Sequence, residues 1–399
     1  MTRQETPVPE DIDAAVGEAR AWLDQHWDPD LDRSAWFDLV VDAGWAAPSW
    51  DTQWFGRGLS SARSRAVAAE FRRVGAPGSG QDRMNLWAAT VYAAGSDELK
   101  SQVLGGFLRH RLRGCLLYSE PGAGSDLAGL RTRAERDGDD WIVNGQKVWT
   151  SFAQKADYGM LVARTDIDVP KHRGLTFFLL PMKQPGVTVR PIHQITGESE
   201  FNEVFLDDAR VSDTLRIGDV DAGWGVLQLA LGLERAIMGG SARTERTKVA
   251  DPGDIRRMSL RELAVHLGRF DDPVVRQDIA RIEAFEAVNR WNLARSKAAG
   301  SQAERLSVLS LSKIAMSRIL HQSARVYFDL AGPESMLEGP ENPLGDATTF
   351  RALNAYFTSI GGGTDQIQRN IIGEKVLGLP REPDPFHDRP FRELPHDQG

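Results

Sequence analysis

Two short stretches of this sequence combine glycine, proline, hydroxyl and aromatic residues in a pattern that could support ligand chemistry. The first runs from Tyr118 to Asp126 and reads Tyr-Ser-Glu-Pro-Gly-Ala-Gly-Ser-Asp. This composition predicts a loop whose backbone N–H groups can approach a polar or anionic ligand closely. The same residue types are typical of an ordinary turn, so this stretch alone leaves both interpretations open.

The second stretch runs from Asn144 to Ser151 and reads Asn-Gly-Gln-Lys-Val-Trp-Thr-Ser. It predicts a strand edge that presents the flat ring of Trp149 with two hydroxyl groups directly after it. An aromatic plane beside hydroxyl donors suits a flat, electron-poor heterocycle such as a flavin. A tryptophan is more often part of a protein core, and that alternative also stays open.

The hydrophobic periodicity divides the chain of 399 residues into blocks that would position these stretches. Residues 1–114 have helical spacing, residues 115–222 have the period of two that strands require, and residues 223–380 are again helical. This order predicts a segregated α+β fold: an N-terminal helical domain, a middle β barrel or sandwich and a C-terminal helical bundle. Residues 381–399 form a proline- and charge-rich tail, which we expect to be disordered or draped over the surface.

Several element boundaries can be predicted from capping and turn residues. Ser34 is a predicted N-cap of the second helix. A connection rich in glycine and proline is predicted from Gly332 to Asp346, followed by a last helix that begins near Thr364. No Gly-x-Gly-x-x-Gly follows a strand, so a dinucleotide-binding parallel sheet is not expected.

The composition excludes several function classes. A net charge of −8 with scattered basic residues argues against nucleic acid or an anionic membrane as the main partner. The single cysteine, Cys115, cannot form an intrachain disulfide, and the eight histidines lack zinc-ligand spacing. The sequence shows no signal peptide and no membrane-spanning run, which together with the single thiol favours a cytoplasmic protein. The cysteine count and the histidine spacing predict no metal site.

The two stretches together resemble the flavin-binding middle domain of acyl-CoA dehydrogenases. The family signatures are (Ser/Thr)-Glu-Pro-Gly-Ala-Gly-Ser-Asp and Asn-Gly-Gln-Lys-x-Trp-x-(Thr/Ser). The stretch from Gly363 to Ile372 is similar to a third signature, Gly-Thr-x-(Gln/Glu)-Ile-Gln-Arg. The order of helical, β and four-helix domains also matches this family. The resemblance implies FAD-dependent dehydrogenation of an acyl-CoA thioester between Cα and Cβ, with the electrons passed to an electron-transferring flavoprotein.

The resemblance also implies which residues contact FAD. Serine side chains would meet the flavin ring, Ser151 near N5, and Trp149 would lie against the dimethylbenzene side. Two residues after the C-terminal glycine run would meet the adenosine half, although such a run more often belongs to a plain capped helix. The full set of implied cofactor contacts is Tyr118, Ser119, Gly124, Ser125, Trp149, Ser151, Thr364 and Gln366.

The reaction also requires a base at Cα and donors at the thioester oxygen. In medium- and short-chain members the base is a glutamate directly before Gly-Thr, and that position here is Gly362. In isovaleryl- and long-chain-type members it lies in a Glu-Arg pair on the first C-terminal helix, which matches Glu234 and Arg235. The resemblance therefore assigns Glu234 as the base, and Ser125, Arg235 and Gly362 to the substrate side. A structural ion pair is the alternative role for Glu234.

Two other family motifs are altered. The region from Gly268 to Gln277 lacks the usual Arg-x-x-Phe-Gly, and Leu330 to Glu334 replaces a glycine-rich motif. These differences resemble actinobacterial members that act on sterol side-chain thioesters, some of which form α2β2 heterotetramers. A homotetramer or an α2β2 heterotetramer is therefore expected. The alternatives left open are a non-catalytic or half-site partner subunit, a flavin oxidase and a carrier-protein-linked dehydrogenase.

Overall fold

The computed structural model describes residues 11–240, 254–298 and 302–395. The chain divides into two compact units. The first comprises Met1–Ile192, Glu200–Leu233 and Phe386–Gly399, and the second comprises His193–Ser199 and Glu234–Pro385. Side chains of Arg235 and of other residues near the end of the helix that follows residue 222 lie outside the described part.

The N-terminal part of the first unit is helical, as predicted. Its helices are α1 (Ile12–His26), α2 (Arg33–Asp42), α3 (Ser61–Arg73), α4 (Gln81–Met84), α5 (Leu86–Ala94) and α6 (Asp97–Leu108). The prediction of Ser34 as an N-cap is wrong. Asp32 caps α2, and its carboxylate accepts hydrogen bonds from the backbone N–H groups of Ser34 at 2.9 Å and Ala35 at 3.0 Å. One carboxylate there satisfies two N–H groups that the first helical turn leaves unpaired.

The β domain of the first unit is one hydrogen-bonded network of eight strands. They are β1 (Gly114–Leu117), β2 (Arg133–Asp137), β3 (Asp140–Ser151), β4 (Tyr158–Arg164), β5 (Leu175–Pro181), β6 (Val187–Pro191), β7 (Phe201–Ser212) and β8 (Arg216–Ile217). The strand order is β6-β7-β3-β2-β4-β5-β8, and β1 pairs in parallel with β4. Strands β4 and β5 are buried along nearly their whole length, so both of their faces are covered and they lie within the core of the domain.

Helices return after the last strand. They are α7 (Gly223–Gly240), α8 (Leu260–His266), α9 (Pro273–Ala298), α10 (Gln302–Ala331), α11 (Pro343–Ile360) and α12 (Asp365–Ile371), and a π-helical turn (Ile372–Val376) follows. The segregated α+β fold is therefore confirmed. None of the helices in the described part of the chain is long and apolar enough to cross a membrane.

One helix was missed by the sequence prediction. Helix α11 occupies residues that were expected to be partly a connection and partly unassigned. It begins at Pro343, which is tolerated in the first turn because a helix leaves that N–H unpaired anyway. Leu344, Ala347 and Ala355 are buried along it, so packing rather than local sequence signals accounts for the helix.

The described part of the tail is ordered in two different ways. Residues 381–385 are exposed, whereas Phe386–Gly399 is grouped with the first unit. Phe391–Glu393 forms a 3-10 helix, and Phe391 is buried. Of the two expectations for the tail, draping describes residues 386–395.

Candidate active site

The two glycine-containing stretches lie side by side in the first unit. The backbone N–H of Val148 donates to the carbonyl of Ser119 at 2.9 Å. The ammonium of Lys147 donates to the carbonyl of Tyr118 at 3.1 Å, to that of Val162 at 2.9 Å and to the Glu120 carboxylate at 2.8 Å. Strand β3 therefore holds the loop at its backbone, and the hydroxyl-bearing residues of both stretches are brought together.

Glu120 and Lys147 form an ion pair inside the protein. Lys147 is 0% exposed and Glu120 is 8% exposed. The Glu120 carboxylate also accepts hydrogen bonds from the backbone N–H groups of Arg131 at 2.7 Å and Thr132 at 2.9 Å. Buried charges of this kind are tolerated only when they are paired and hydrogen-bonded, and both partners here satisfy that condition.

The surroundings shift the titration of both partners. Burial by itself raises the pKa of Glu120, but the charge of Lys147 and the hydrogen bonds from Lys147, Thr132 and Arg131 outweigh it and lower this pKa. Burial lowers the pKa of Lys147 by more than Glu120 raises it. The three acceptors around Lys147 require three N–H donors, which only the protonated side chain supplies.

The tip of the loop is open to solvent. Glu120 and Ala123 exchange two backbone hydrogen bonds of 3.0 and 3.1 Å, which closes a tight turn around Pro121 and Gly122. A Cβ atom added at Gly122 or Gly124 would meet nothing within 4 Å, and Ser125 is exposed. A cavity of about 250 Å³ borders the turn and is lined by Glu120, Pro121, Gly122, Gly129, Arg131, Thr132, Gly145 and Gln146. A ligand can therefore reach the loop backbone.

Trp149 lies on a β-bulge and faces outward. Lys147 pairs with Val204 and Thr150 with Asn202, so one extra residue is inserted in β3 between these pairs. Trp149 has a φ of +61°, is 60% exposed and contacts Phe201 edge-to-face at a centroid distance of 6.1 Å. A left-handed conformation is unfavourable for a bulky residue, and strained residues of this kind cluster at turns and functional sites. Trp149 is therefore not a core residue.

The hydroxyl residues beside Trp149 differ in exposure. Ser119 and Ser151 are half-buried, and Ser151 pairs with Phe201 at the end of β3. Thr150 is buried, and its Oγ1 atom has no hydrogen-bond partner among the described residues. The first unit therefore presents an aromatic ring and two partly accessible hydroxyl groups in one region.

The predicted catalytic residue belongs to the second unit. Glu234 lies on α7, four residues after the buried Ala230, and is half-buried. It was expected among apolar neighbours, and the helix before it does contain buried Leu227 and half-buried Leu231. Its own side chain keeps some contact with solvent. The role assigned to Arg235 concerns a side chain outside the described part.

The glycine run before α12 forms a left-handed turn. Gly362 has a φ of +64° and Gly363 a φ of +87°. The Gln368 amide donates to the Gly362 carbonyl at 3.3 Å, and a Cβ at Gly363 would lie 2.7 Å from that amide nitrogen. A glutamate at position 362 would have to adopt this left-handed conformation, which disfavours every residue except glycine. The local backbone therefore suits the glycine found there.

Thr364 and Gln366 follow this turn. The Thr364 hydroxyl accepts a hydrogen bond from the Ile367 N–H at 3.2 Å and is the N-cap of α12, which confirms the predicted helix start. Gln366 is exposed. The capping role accounts for Thr364 locally, and the cofactor contacts of both residues stay predictions.

A polar cluster supports the same turn from α10 and α11. Asp365 accepts a hydrogen bond from Ser317 at 2.7 Å and pairs with Lys313 at 3.1 Å. Ser317 and Ser359 lie 2.8 Å apart, and His321 Nε2 lies 2.7 Å from the Ser359 hydroxyl. These contacts fix the start of α12 relative to its neighbouring helices.

The ion pair between Glu120 and Lys147 was not predicted from the sequence, where both residues entered only as members of the two family motifs. A signal was available in the alternation of β3. Trp141, Val143 and Lys147 share the face of the strand that points inward, and the first two are apolar and buried. A lysine at such a position requires a buried acidic partner. Glu120, in the other stretch, was the obvious candidate.

Comparisons with known proteins show the family of this chain. Residues 115–209 match the profile described as acyl-CoA dehydrogenase, middle domain, and residues 221–377 match acyl-CoA dehydrogenase, C-terminal domain. The chain is 37% identical over 360 residues to acyl-CoA dehydrogenase IpdE1 of Mycobacterium tuberculosis, covering 88% of this chain and 89% of the relative. The chain belongs to the acyl-CoA dehydrogenase family.

A second curated relative and a solved structure are also similar to this chain. Acyl-CoA dehydrogenase FadE26 of Mycobacterium tuberculosis is 32% identical over 355 residues, covering 85% of this chain and 86% of the relative. A crystal structure of the ChsE4-ChsE5 complex from the same organism superposes with a TM-score of 0.66 at 29% identity, covering 96% of this chain and 100% of the other. The predicted enzyme class, an oxidoreductase acting on acyl-CoA, is confirmed.

Acyl-CoA dehydrogenases use FAD, and the residues of the first unit fit such a cofactor. The ring of Trp149 is exposed rather than packed into the core. The loop tip at Gly122 and Gly124 has space for a ligand at its backbone. Ser119 and Ser151 keep partly accessible hydroxyl groups beside them.

Replacing Lys147 by methionine tests the buried ion pair. This change leaves the Glu120 charge buried without its partner, so we expect the free energy of unfolding to fall by about 3–5 kcal/mol. Urea unfolding followed by circular dichroism measures the loss. The control is Lys155→Met, at an exposed position. Because the two sites are coupled, a Glu120→Gln/Lys147→Met double variant should lose less than the sum of the single changes. An unchanged midpoint for Lys147→Met would refute the account.

Replacing Trp149 by alanine tests whether its ring supports the fold or a ligand. Truncating a core tryptophan costs about 3–5 kcal/mol. For Trp149→Ala we expect the unfolding free energy of flavin-free protein to change by no more than about 1 kcal/mol, as at other surface sites. Trp141→Ala, on the same strand but 4% exposed, is the matched control and should show the full cost. Equal losses in both variants would show that Trp149 is a packing residue.

Proposed function

We propose that the chain catalyses the FAD-dependent α,β-dehydrogenation of an acyl-CoA thioester, with Glu234 as the general base. The observation that carries the proposal is the exposed Trp149 ring on a strained bulge, beside a solvent-open glycine loop, in a chain of this family. A bulky residue that is held in an unfavourable conformation and exposed to solvent supports the hypothesis that a ligand packs on it.

The proposed cofactor contacts are the residues that the family motifs imply. From the first unit, the backbone of Tyr118 and the loop at Gly124 and Ser125 would serve its polar groups. Ser119, Trp149 and Ser151 would face the flavin ring, and Thr364 and Gln366 of the second unit would serve the adenosine half. When bound, FAD supplies the acceptor for the Cβ hydride.

Glu234 would take the Cα proton. Proton removal next to a thioester requires a carboxylate that is partly shielded from water and lies within reach of that carbon. Glu234 is half-buried on α7. The alternative base position, Gly362, has a backbone conformation unsuited to glutamate. Gly362, Ser125 and Arg235 would line the substrate side, and backbone N–H groups would polarise the thioester oxygen.

Electrons would leave through an electron-transferring flavoprotein. A rapid consumption of oxygen during turnover would instead identify a flavin oxidase, and activity restricted to carrier-bound acyl groups would identify a carrier-protein-linked dehydrogenase. Acyl-CoA substrates ranging from straight-chain to steroid-like, each tested for bleaching of the flavin absorbance, would identify the acyl group.

Replacing Glu234 by glutamine tests the base. The amide keeps the shape of the carboxylate but cannot accept the proton, so we expect a folded, yellow protein that binds acyl-CoA and has lost roughly 10²–10⁴-fold in turnover. Stopped-flow bleaching of the flavin measures the step. Glu135→Gln, at an exposed position on β2, is the control and should retain full activity. Turnover of Glu234→Gln within a few fold of the wild type would exclude this base.

The assembly can be tested on the same protein. The ChsE4-ChsE5 structure is a complex of two chains. For this chain we propose either a homotetramer or an α2β2 assembly with a related chain. For the homotetramer we expect the purified chain alone to be yellow and to have about four times its 44.1 kDa mass by light scattering. A colourless chain that gains FAD only after mixing with a related chain would support the half-site subunit instead.

A further inference from the structure

The end of the chain packs on the β domain through a short segment, residues 386–395, which we call the C-terminal strap. Its partner is the β4–β5 loop, residues 165–174. The Phe391 N–H donates to the Val169 carbonyl at 2.9 Å, and the Arg392 N–H donates to the Ile167 carbonyl at 3.0 Å. Pro390 forms a β-bridge with Pro170. The strap therefore adds backbone pairing along one side of the loop.

The side chain of Phe391 is the main anchor of the strap. Phe391 is 6% exposed, whereas the Arg392–Asp168 ion pair, at 2.8 Å, joins two side chains that are 58% and 60% exposed. Exposed pairs of this kind contribute little to stability. The ring of Phe391 lies 3.8 Å from the Arg164 guanidinium carbon and 5.5 Å from that of Arg131.

Arg164 is an unusual residue to bury. It is 2% exposed and has no carboxylate within ion-pair distance among the described residues. Its guanidinium donates instead to the carbonyls of Lys171 at 2.7 Å, Ala128 at 2.6 Å and Leu130 at 3.4 Å. Burial, only partly offset by Glu120, lowers its pKa to about 10. The face of the Phe391 ring therefore adds a favourable contact for this buried charge to the three hydrogen bonds.

Two of the three carbonyls bound by Arg164, those of Ala128 and Leu130, lie in the segment that follows the glycine-rich loop, residues 118–126. Ala128 and Leu130 are two and four residues after Asp126, the last residue of that loop. The β4–β5 loop makes a second connection to the same place, because Lys171 pairs with Asp126 at 2.8 Å. Both routes from the strap, through Arg164 and through the β4–β5 loop, end at residues 126–130.

We propose that Phe391 is a positioning residue, through which the C-terminal strap holds Arg164 and thereby fixes residues 126–130, at the end of the glycine-rich loop. The strap lies far from this loop in sequence and contributes no residue to it. Its effect on the cofactor rests on the proposed function, since residues 124 and 125 are assigned to FAD and substrate there. Its effect on the loop does not rest on that function.

The test compares four full-length variants by hydrogen–deuterium exchange. Phe391→Ala and Phe391→Leu remove the ring face, the latter while keeping most of the apolar volume. Phe391→Trp keeps a ring face, and Arg392→Ala removes only the exposed pair. We expect exchange at the Gly129 and Leu130 amides, and in the β4–β5 loop, to rise by about tenfold in the first two variants.

Phe391→Trp and Arg392→Ala should stay near the wild-type exchange rates, and strand β5 (Leu175–Pro181) serves as an internal reference that should not change in any variant. If exchange rises only within residues 386–395, the positioning role is wrong. The same holds if Phe391→Leu behaves like the wild type. Phe391→Leu also keeps the proposal testable if Phe391→Ala does not fold.

A titration with FAD, followed by flavin fluorescence, separates this inference from the proposed function. We expect FAD to bind about tenfold more weakly to Phe391→Leu than to the wild type, with Phe391→Trp restoring the affinity. If the wild-type chain binds no FAD while Phe391→Leu shows faster exchange at residues 126–130, the proposed function is overturned. The positioning role of Phe391 then still holds. Normal FAD binding in all variants, without increased exchange at residues 126–130, would overturn the positioning role of Phe391 and leave the proposed dehydrogenase function intact.

Discussion

The candidate site depends on one buried ion pair. Lys147 extends from the inward face of β3 and meets Glu120 of the glycine-rich loop, and both are almost inaccessible to water. Neither charge could be buried alone, so the loop and the strand must lie together whenever the domain is folded. Additional hydrogen bonds from Lys147 reach the backbone at Tyr118 and Val162. The pair thereby joins the loop, β3 and β4 at a single point.

This fixed backbone allows the next residues to adopt a conformation that is unfavourable on its own. Directly after Lys147, β3 bulges, and Trp149 takes a left-handed conformation that turns its ring outward. The buried pair on one side and the return to regular pairing at Thr150 on the other hold the bulge in place. Rigid support around a strained, exposed residue is the arrangement expected where a ligand packs.

The second unit shows the same principle with different residues. A left-handed glycine turn precedes α12, and the contacts of Gln368, Asp365 and Ser317 hold the turn against its neighbours. Glycine is suited to position 362 because it adopts a positive φ without steric cost. The residue that we propose as the base, Glu234, lies on α7.

The sequence by itself determined the order of helical and β blocks, because periods of 3.6 and 2 residues are local properties of the chain. It also determined the family and the positions of the motifs, since these are strings of residue types. It did not reveal α11, whose start resembles a turn, or that Asp32 rather than Ser34 caps α2. The alternation of β3 places Lys147 on the inward face, so the sequence carried a signal for a buried acidic partner. The tertiary structure decided that Glu120 is that partner, that Trp149 faces outward and that Phe391 covers Arg164. Each of these features depends on burial, on a bulge or on packing between segments that are distant in sequence. Their energies depend on the three-dimensional surroundings, which no local pattern encodes.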